Sequence, residues 1–173
     1  MENDILKALR ERKSIKKYKP EPISDDELKA ILDAGTYAPN GMGKQSPVMV
    51  VVRDKALRDK LSRMNAEVMG VSADPFYGAP TVVVVFGNPE VPTWLEDASL
   101  TAGNMLNAAH AAGVGGCWIH RARQMFDTPE GRQLMRQWGV PENMVGVANC
   151  IFGYPDGDPK PRAPRKSDYV IYA

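Results

Sequence analysis

The sequence has few cysteines and histidines, the residues typical of disulfide-linked and metal-binding proteins. Among its 173 residues there are two cysteines and two histidines. Two thiols in a chain of this length do not form a disulfide framework, so we expect both to be buried, reduced side chains in a cytoplasmic protein. His110, His120 and Cys117 lack the spacing of a recognisable metal site. No metal is therefore expected.

Long apolar segments and a strong net charge are also missing. The longest aliphatic run, VVVVF at 82–86, is too short to span a bilayer, and the N-terminus has no apolar signal region. Lysine plus arginine (22) and aspartate plus glutamate (21) nearly balance, so nothing draws the whole chain to nucleic acids or membranes. We therefore expect neither as a partner. The hydrophobic fraction of 43% is that of an ordinary globular protein, and we expect one domain over residues 1–173.

The glycine-rich fingerprints of nucleotide-binding enzymes are absent. Residues 113–116 follow a predicted helix and enter a strand, which is the reverse of the Rossmann context. Gly43 and Lys44 are followed by Gln45, whereas a P-loop needs serine or threonine there. No G-x-S-x-G nucleophile motif occurs either. A bound phosphate would therefore need cationic side chains rather than a glycine loop.

The pattern of apolar residues predicts alternating helices and strands. Helices are predicted at 3–12, 24–35, 54–70, 93–113 and 127–139, strands at 48–53, 81–87, 114–119 and 145–152, and a strand-like stretch at 169–172. Because each strand is an unbroken apolar run, we expect a sheet covered by helices on both faces. The helix at 93–113 is lined by small residues. It is either a central helix buried within one subunit or the core of a dimer interface.

What the sequence does have is positive charge concentrated in ERKSIKKYKP, residues 11–20. The prolines that close this segment disfavour a helix, so we expect an extended chain. Alternate side chains of an extended chain share one side, and Arg12, Ser14 and Lys16 therefore project together. A guanidinium, a hydroxyl and an ammonium on one face can clamp a phosphate. The plainer alternative is a solvated run of charge.

Several motifs, in order, resemble those of the nitroreductase family of flavin enzymes. They are Arg-x-Ser-x-Lys-x-Tyr at 12–18, Ala-Pro and a glycine- and asparagine-containing loop at 38–45, Gly-Ala-Pro at 78–80, GNMLNAAHAAGVGGCWI at 103–119, and Gly-Tyr-Pro at 153–155 before a basic tail. The resemblance implies an α+β, three-layer fold with a mixed central sheet flanked by helices. It also implies an interlocked homodimer that binds FMN without covalent attachment at its interface, with segment 160–173 reaching onto the partner subunit.

The resemblance also implies, position by position, which residues bind FMN. The residues at the phosphate and pyrimidine side are matched by Arg12, Lys13, Ser14 and Lys16, and the tail residues that return to the phosphate by Arg165 and Lys166, or alternatively by Arg162. The loop that closes over the ring from the other subunit is matched by Pro39, Asn40 and Gly41, with Gln45. The strand end that faces N5 and O4 is matched by Trp118, Ile119, His120 and Arg121, and a ring-edge asparagine by Asn65. Trp118 is alternatively a core residue only, and His120 alternatively a proton donor to the substrate.

The implied activity is FMN-dependent reduction of nitroaromatics, quinones or similar electron-poor acceptors by NADH or NADPH, in a ping-pong cycle. No protein nucleophile is required, and Lys16 is the best candidate for a cation that stabilises the reduced flavin near N1 and O2. Gly43 replaces a common asparagine, and Ser46 with Pro47 replaces a common Pro-Trp, which alters the expected acceptor pocket. The alternatives are a flavin-binding relative with other chemistry, such as dehalogenation or flavin fragmentation, and a non-catalytic anion-binding module.

Overall fold

Six α-helices, a short 3-10 helix at Gly41–Gly43 and one four-stranded sheet are present in the computed structural model, which describes residues 1–159 and 161–173. The helices are α1 (Asp4–Glu11), α2 (Asp25–Thr36), α3 (Lys55–Met69), α4 (Trp94–Ala111), α5 (Ala122–Asp127) and α6 (Pro129–Gln137); the strands are β1 (Val48–Val52), β2 (Thr81–Gly87), β3 (Gly115–Ile119) and β4 (Val145–Gly153). Each predicted helix and strand between residues 3 and 153 is present within about two residues of its predicted ends, and α5 was not predicted.

The strands lie in the order β1-β2-β4-β3, and each neighbouring pair is antiparallel. In the described part of the chain, parallel pairing is limited to one bridge between Ser14 and Gly116, beside β3. Helices packed on a sheet whose four strands are antiparallel confirm the predicted α+β class. β1 and β3 are the edge strands, and the Ser14 segment lies along the outer edge of β3.

Both faces of the sheet are covered, as the unbroken apolar strands predicted. On β2, Val82 and Val84 face one core and Val83 and Val85 face the other, and all four are fully buried. Side chains of α3, α5 and α6 complete the first core, and side chains of α2 and α4 complete the second. The sheet is thus the middle of three layers.

Two helices carry apolar or small residues on faces that the chain itself does not cover. Helix α1 has no buried residue, and Ile5 and Leu9 are 71% and 49% exposed. Helix α4 buries Ala98 and Met105 against the sheet, but Leu100 on its outer side is 45% exposed. The inner face of α4 is therefore core, as expected of a central helix, and its outer face is open, as expected of a dimer interface.

Residues 161–173 have no regular structure beyond a turn. Residues 169–172, predicted to be strand-like, form no strand and are exposed. That prediction was wrong for the isolated chain, because no partner strand lies beside them. Lys160, the first residue of the predicted tail, lies outside the described residues. In the described ranges, no helix is long and apolar enough to cross a membrane.

Candidate functional site

The basic segment runs as an extended chain along β3. Arg12 ends α1, and the Ile15 amide donates a hydrogen bond to the Gly116 carbonyl at 3.1 Å. Ile15 is buried in the core, whereas Ser14 and Lys16 on either side are exposed. The predicted alternation holds at its centre, where Ile15 anchors the segment and Ser14 and Lys16 face outward. It does not hold at the start, because Lys13 lines the same groove as Ser14 and Lys16 and Arg12 does not.

Cations from two parts of the chain meet at the start of this segment. The Arg162 guanidinium donates to the Arg12 carbonyl, and Lys13 Nζ donates to the Pro159 carbonyl at 3.4 Å. His110 lies at the end of α4 beside them. Burial lowers the pKa of His110, and the positive charges of Arg162, Arg12 and Lys13 lower it further against the opposing charge of Glu11. The local potential is therefore positive where an anion would sit.

The tail residues divide into one that reaches the basic segment and two that do not. Arg162 lines a groove of about 550 Å³ together with Lys13, Ser14 and Lys16. Arg165 instead donates to the carbonyl of Ala163, two residues away, and Lys166 Nζ lies 3.9 Å from Asp168. Within one chain the structure brings Arg162, rather than Arg165 or Lys166, to the other predicted phosphate residues.

The other predicted ligand residues of this chain lie where β3 ends. Ile119 is buried, Trp118 is half-buried against the α2–α4 core, and His120 is exposed. Arg121 has a φ of 78°, the left-handed region that favours glycine, and it turns the chain into α5. From Gly116 to His120 the strand spans roughly 13 Å. The edge of β3 therefore joins a cationic end to a tight backbone turn.

Two buried asparagines hold this turn in place. Asn65 Nδ2 donates to the His120 carbonyl at 2.7 Å, and Asn149 Nδ2 lies 3.5 Å from the same oxygen. Both side chains are fully buried, and among the described residues neither Oδ1 has a hydrogen-bond partner. The Asn65 side chain thus contacts the turn from the buried interior and is not exposed at the groove. Asn149 was not predicted, although an asparagine inside the apolar run VGVANCIF was a signal.

The predicted loop at 39–45 is far from the cationic end. Its Gly41 amide donates to Asp97 Oδ1 at 2.9 Å, and the Thr93 hydroxyl donates to Asp97 Oδ2 at 3.0 Å. Asp97 is near the start of α4 and His110 is near its end, about 20 Å away along the helix axis. Pro39, Asn40, Gly41 and Gln45 therefore do not share one site with Arg12 within a single chain.

Comparisons with known proteins agree with this geometry. A sequence model of the Nitroreductase family matches residues 9–154. The chain belongs to the nitroreductase family. A relative from Archaeoglobus fulgidus, provisionally named an NADH dehydrogenase/NAD(P)H nitroreductase, is 30% identical over 158 residues, covering 88% of this chain and 86% of the relative. The iodotyrosine deiodinase of Thermotoga neapolitana is 25% identical over 183 residues, covering 94% of each chain.

A solved structure of the family superposes on nearly the whole molecule. The nitroreductase of Bacteroides fragilis, whose crystal structure contains FMN, gives a TM-score of 0.92 at 27% identity and covers 99% of this chain and 100% of its own. The recognition of the family from its motifs is confirmed, and so is the predicted fold.

The residues of this nitroreductase-family chain fit a phosphorylated flavin. Arg12, Lys13 and Arg162 supply positive charge and Ser14 supplies a hydroxyl at one end of the β3 edge. The other end offers backbone groups at the Arg121 turn. The Cys117 thiol lies behind Ser14: burial raises its pKa, while the Ser14 side chain and the charges of Lys16 and Arg12 oppose that shift. In the described residues, no three histidine, cysteine or acidic side chains could together hold a metal ion.

Proposed function

We propose that this chain is an FMN-dependent oxidoreductase that uses NADH or NADPH to reduce nitroaromatics, quinones or similar electron-poor acceptors. The observation that carries the proposal is the meeting of Arg12, Lys13, Ser14 and Arg162 at one end of the β3 edge. Membership of the nitroreductase family gives the broader statement, a flavin-dependent oxidoreductase. The acceptor class and the roles of single residues are proposals.

At the phosphate end, the chain's own groups bind and orient. The guanidinium groups of Arg12 and Arg162 and the ammonium of Lys13 would neutralise a dianion, and the Ser14 hydroxyl would donate one hydrogen bond. Each charge-assisted hydrogen bond contributes about 1.5–3 kcal/mol. The contact of Arg162 with the Arg12 carbonyl supports this clamp, because it holds the tail beside the basic segment before any ligand arrives.

At the ring end, backbone groups would make the main contacts with the cofactor. FMN when bound supplies the hydride-transfer chemistry, so the proposed reaction requires no protein nucleophile. The turn at residues 119–121 would offer an amide to the ring nitrogen that accepts hydride. Asn65 and Asn149 keep that turn from moving by holding the His120 carbonyl. Lys16 is the cation proposed for the pyrimidine edge, where negative charge develops on reduction.

A complete site would need two copies of the chain. The loop at 39–45 is anchored about 20 Å along α4 from His110, so only a partner subunit could bring it over the same ligand. The uncovered apolar residues of α1 and the outer side of α4 provide a surface for that partner. We therefore propose a homodimer whose two FMN sites each take Pro39, Asn40, Gly41 and Gln45 from the second subunit.

The C-terminal segment fits the same arrangement. Tyr169, Val170, Ile171 and Tyr172 are 62–94% exposed, more than an apolar segment of a monomer would be. β1 is an edge strand with free backbone groups on one side. We propose that residues 161–173 cross to the partner subunit, where they bury these side chains. In that arrangement Arg162 stays with the Arg12 segment of its own chain.

The absorption spectrum of freshly purified protein is the first test. We expect a yellow protein, bleached by NADH or NADPH under anaerobic conditions and recoloured by a nitroaromatic or a quinone. Bound flavin that neither nucleotide bleaches would contradict the turnover part of the proposal. A colourless protein that binds oligonucleotides with a steep salt dependence would point to the anion-binding alternative.

One relative favours a second candidate function. Because the Thermotoga neapolitana relative is named an iodotyrosine deiodinase, the same cofactor site could serve reductive dehalogenation. The altered loop at Gly43, Ser46 and Pro47 leaves the acceptor wall different from the common family pattern. Incubating reduced protein with a halogenated phenol and with a nitroaromatic, and identifying the products of each, separates the two functions.

A further inference from the structure

The loop before β2 holds a tyrosine in an unfavourable backbone conformation. Tyr77 has a φ of 53° and Gly78 a φ of 74°, so two consecutive residues are left-handed. Glycine adopts this region without steric cost, whereas a bulky residue there is an outlier. A Cβ added at Gly78 would meet nothing within 4 Å, so steric crowding does not explain why position 78 is a glycine while position 77 carries a large side chain. The tyrosine at 77 therefore requires another explanation.

A partly buried ionic network imposes this conformation. Asp74 accepts hydrogen bonds from the amides of Phe76 and Gly78, at 2.8 and 2.7 Å, and from Arg58 Nη2 at 2.7 Å. The Arg58 side chain is 8% exposed, and its Nε donates to the Ala79 carbonyl at 2.9 Å. Strained residues persist where the surrounding structure over-determines them, and such residues cluster at functional sites.

The strained residue points toward the cofactor-binding segment. The Tyr77 ring centroid lies 5.6 Å from Lys16 Nζ, within the range of a cation–π interaction. Tyr77 is 38% exposed, so its ring is not part of the buried core. Over residues 1–159 and 161–173, no carboxylate lies within 4 Å of Lys16 Nζ. The ring is therefore the feature that restrains this ammonium group.

We infer that Tyr77 is a positioning residue of the flavin site, which holds the Lys16 ammonium at the pyrimidine edge of FMN. The inference rests on the proposed function. A lysine side chain is long and freely rotating, and a cation stabilises developing charge most when its position is fixed beforehand. The aromatic face fixes it without neutralising it, as a carboxylate would. The Arg58–Asp74 network keeps the ring in place from the protein side.

Removing the ring tests the inference with a variant that does not threaten the fold. Tyr77→Gly deletes the side chain and also relieves the left-handed strain, so the apoprotein should unfold at the same temperature as wild type or higher. We expect the affinity for reduced relative to oxidised FMN to fall about two- to fivefold. The midpoint potential of the bound flavin should then be about 10–20 mV more negative.

Two further variants show whether Tyr77 acts through Lys16. Tyr77→Phe keeps the ring face and should restore most of the wild-type potential. Lys16→Ala should lower the potential by itself, and adding Tyr77→Gly to it should cause no further shift. A Tyr77→Gly protein with bound FMN and the wild-type potential would overturn the inference. An equal Tyr77→Gly shift with and without Lys16 would overturn it as well, because the effect would then not pass through Lys16.

The same titrations separate this inference from the proposed function. Wild-type apoprotein is titrated with FMN first, and failure to bind would refute the proposed function and the inference with it. Normal binding combined with an absence of coupling between Tyr77 and Lys16 refutes the inference alone.

Discussion

The phosphate contact proposed for Arg12 is one that its lysine neighbours would not reproduce, because its guanidinium is planar and permanently charged. Arg12→Ala should weaken FMN binding by about 2 kcal/mol, somewhat more than tenfold. Quenching of flavin fluorescence on titration of the apoprotein measures this change. Riboflavin, which lacks the phosphate, is the control ligand and should bind both proteins equally. Equal losses for the two ligands would mean that Arg12 does not act on the phosphate.

Arg162 and Arg165 form a matched pair for locating the tail's contribution. Arg162 donates to the Arg12 carbonyl, whereas Arg165 donates to the carbonyl of Ala163. Arg162→Ala should therefore lower FMN affinity about tenfold, and Arg165→Ala by less than about twofold. The same fluorescence titration compares them directly. The reverse order would restore Arg165 as the phosphate ligand and would require the tail to move when the partner subunit binds.

Asp74 links the ionization of one carboxyl to the stability of the Tyr77 loop. Burial raises its pKa, but hydrogen bonds from Arg58, Ser62 and the amides of Gly78 and Phe76 outweigh burial, so the pKa is below its usual value. The stabilisation is therefore fully present above the unfolded-state pKa and is lost as the pH falls through the folded-state pKa. Asp74→Ala should cost about 1–3 kcal/mol near neutral pH, because Arg58 loses a buried partner.

Urea unfolding at neutral and acidic pH checks this prediction. The difference in unfolding free energy between wild type and Asp74→Ala should shrink as the pH falls through the acid range, because wild type then also loses the charge. Asp168→Ala, in the exposed tail, is the control and should show no such dependence. A difference that stays constant with pH would mean that the charge of Asp74 does not contribute.

Helix α2 begins with a reciprocal cap that also ties it to the end of β4. The Ser24 hydroxyl accepts from the Glu27 amide at 3.2 Å, and Glu27 Oε2 accepts from the Ser24 amide at 2.8 Å and the Tyr154 hydroxyl at 2.6 Å. Ser24→Ala should lower the free energy of unfolding by about 1 kcal/mol, measured by urea denaturation. Ser72→Ala, at an exposed serine after α3, should change it by less than about 0.5 kcal/mol. Equal effects would argue against the cap.

The regular elements were predictable because their signals are local. The capping residues of α2 and the apolar runs of the strands lie within a few positions of each other in the sequence. Strand direction was not predictable, because an unbroken apolar run reports burial on both faces and these runs pair antiparallel. The inward face of α3 was not predictable either: Val68 on this helix is 37% exposed, while Asn65 is fully buried.

The candidate site was predictable only where one segment carries it. The Arg12–Lys16 segment was recognised from its own sequence, and its extended course along β3 is confirmed. Asn149 and Tyr77 were missed because their partners, His120 and Lys16, are 29 and 61 positions away along the chain. Contacts of that kind depend on how the helices pack on the sheet, and no local pattern encodes them.

The assembled molecule should depend on the open side of α4. A Cβ added at Gly103 would meet nothing within 4 Å in the single chain, and Leu100 beside it is 45% exposed. Gly103→Arg should therefore fold normally as a monomer but place a bulky charge in the proposed interface. We expect light scattering after gel filtration to show a shift from dimer to monomer. Gln133→Arg, at an exposed position on α6, is the matched control and should remain dimeric.

Loss of the dimer should also weaken flavin binding, although Arg12, Lys13 and Arg162 remain intact in each copy. The monomer would lack the 39–45 loop of the partner, and the loss of its contacts should weaken FMN binding by at least about tenfold. Circular dichroism and the unfolding temperature would show that the fold survives. A Gly103→Arg monomer that bound FMN as tightly as wild type would contradict a shared site, since a single chain would then be sufficient to form it.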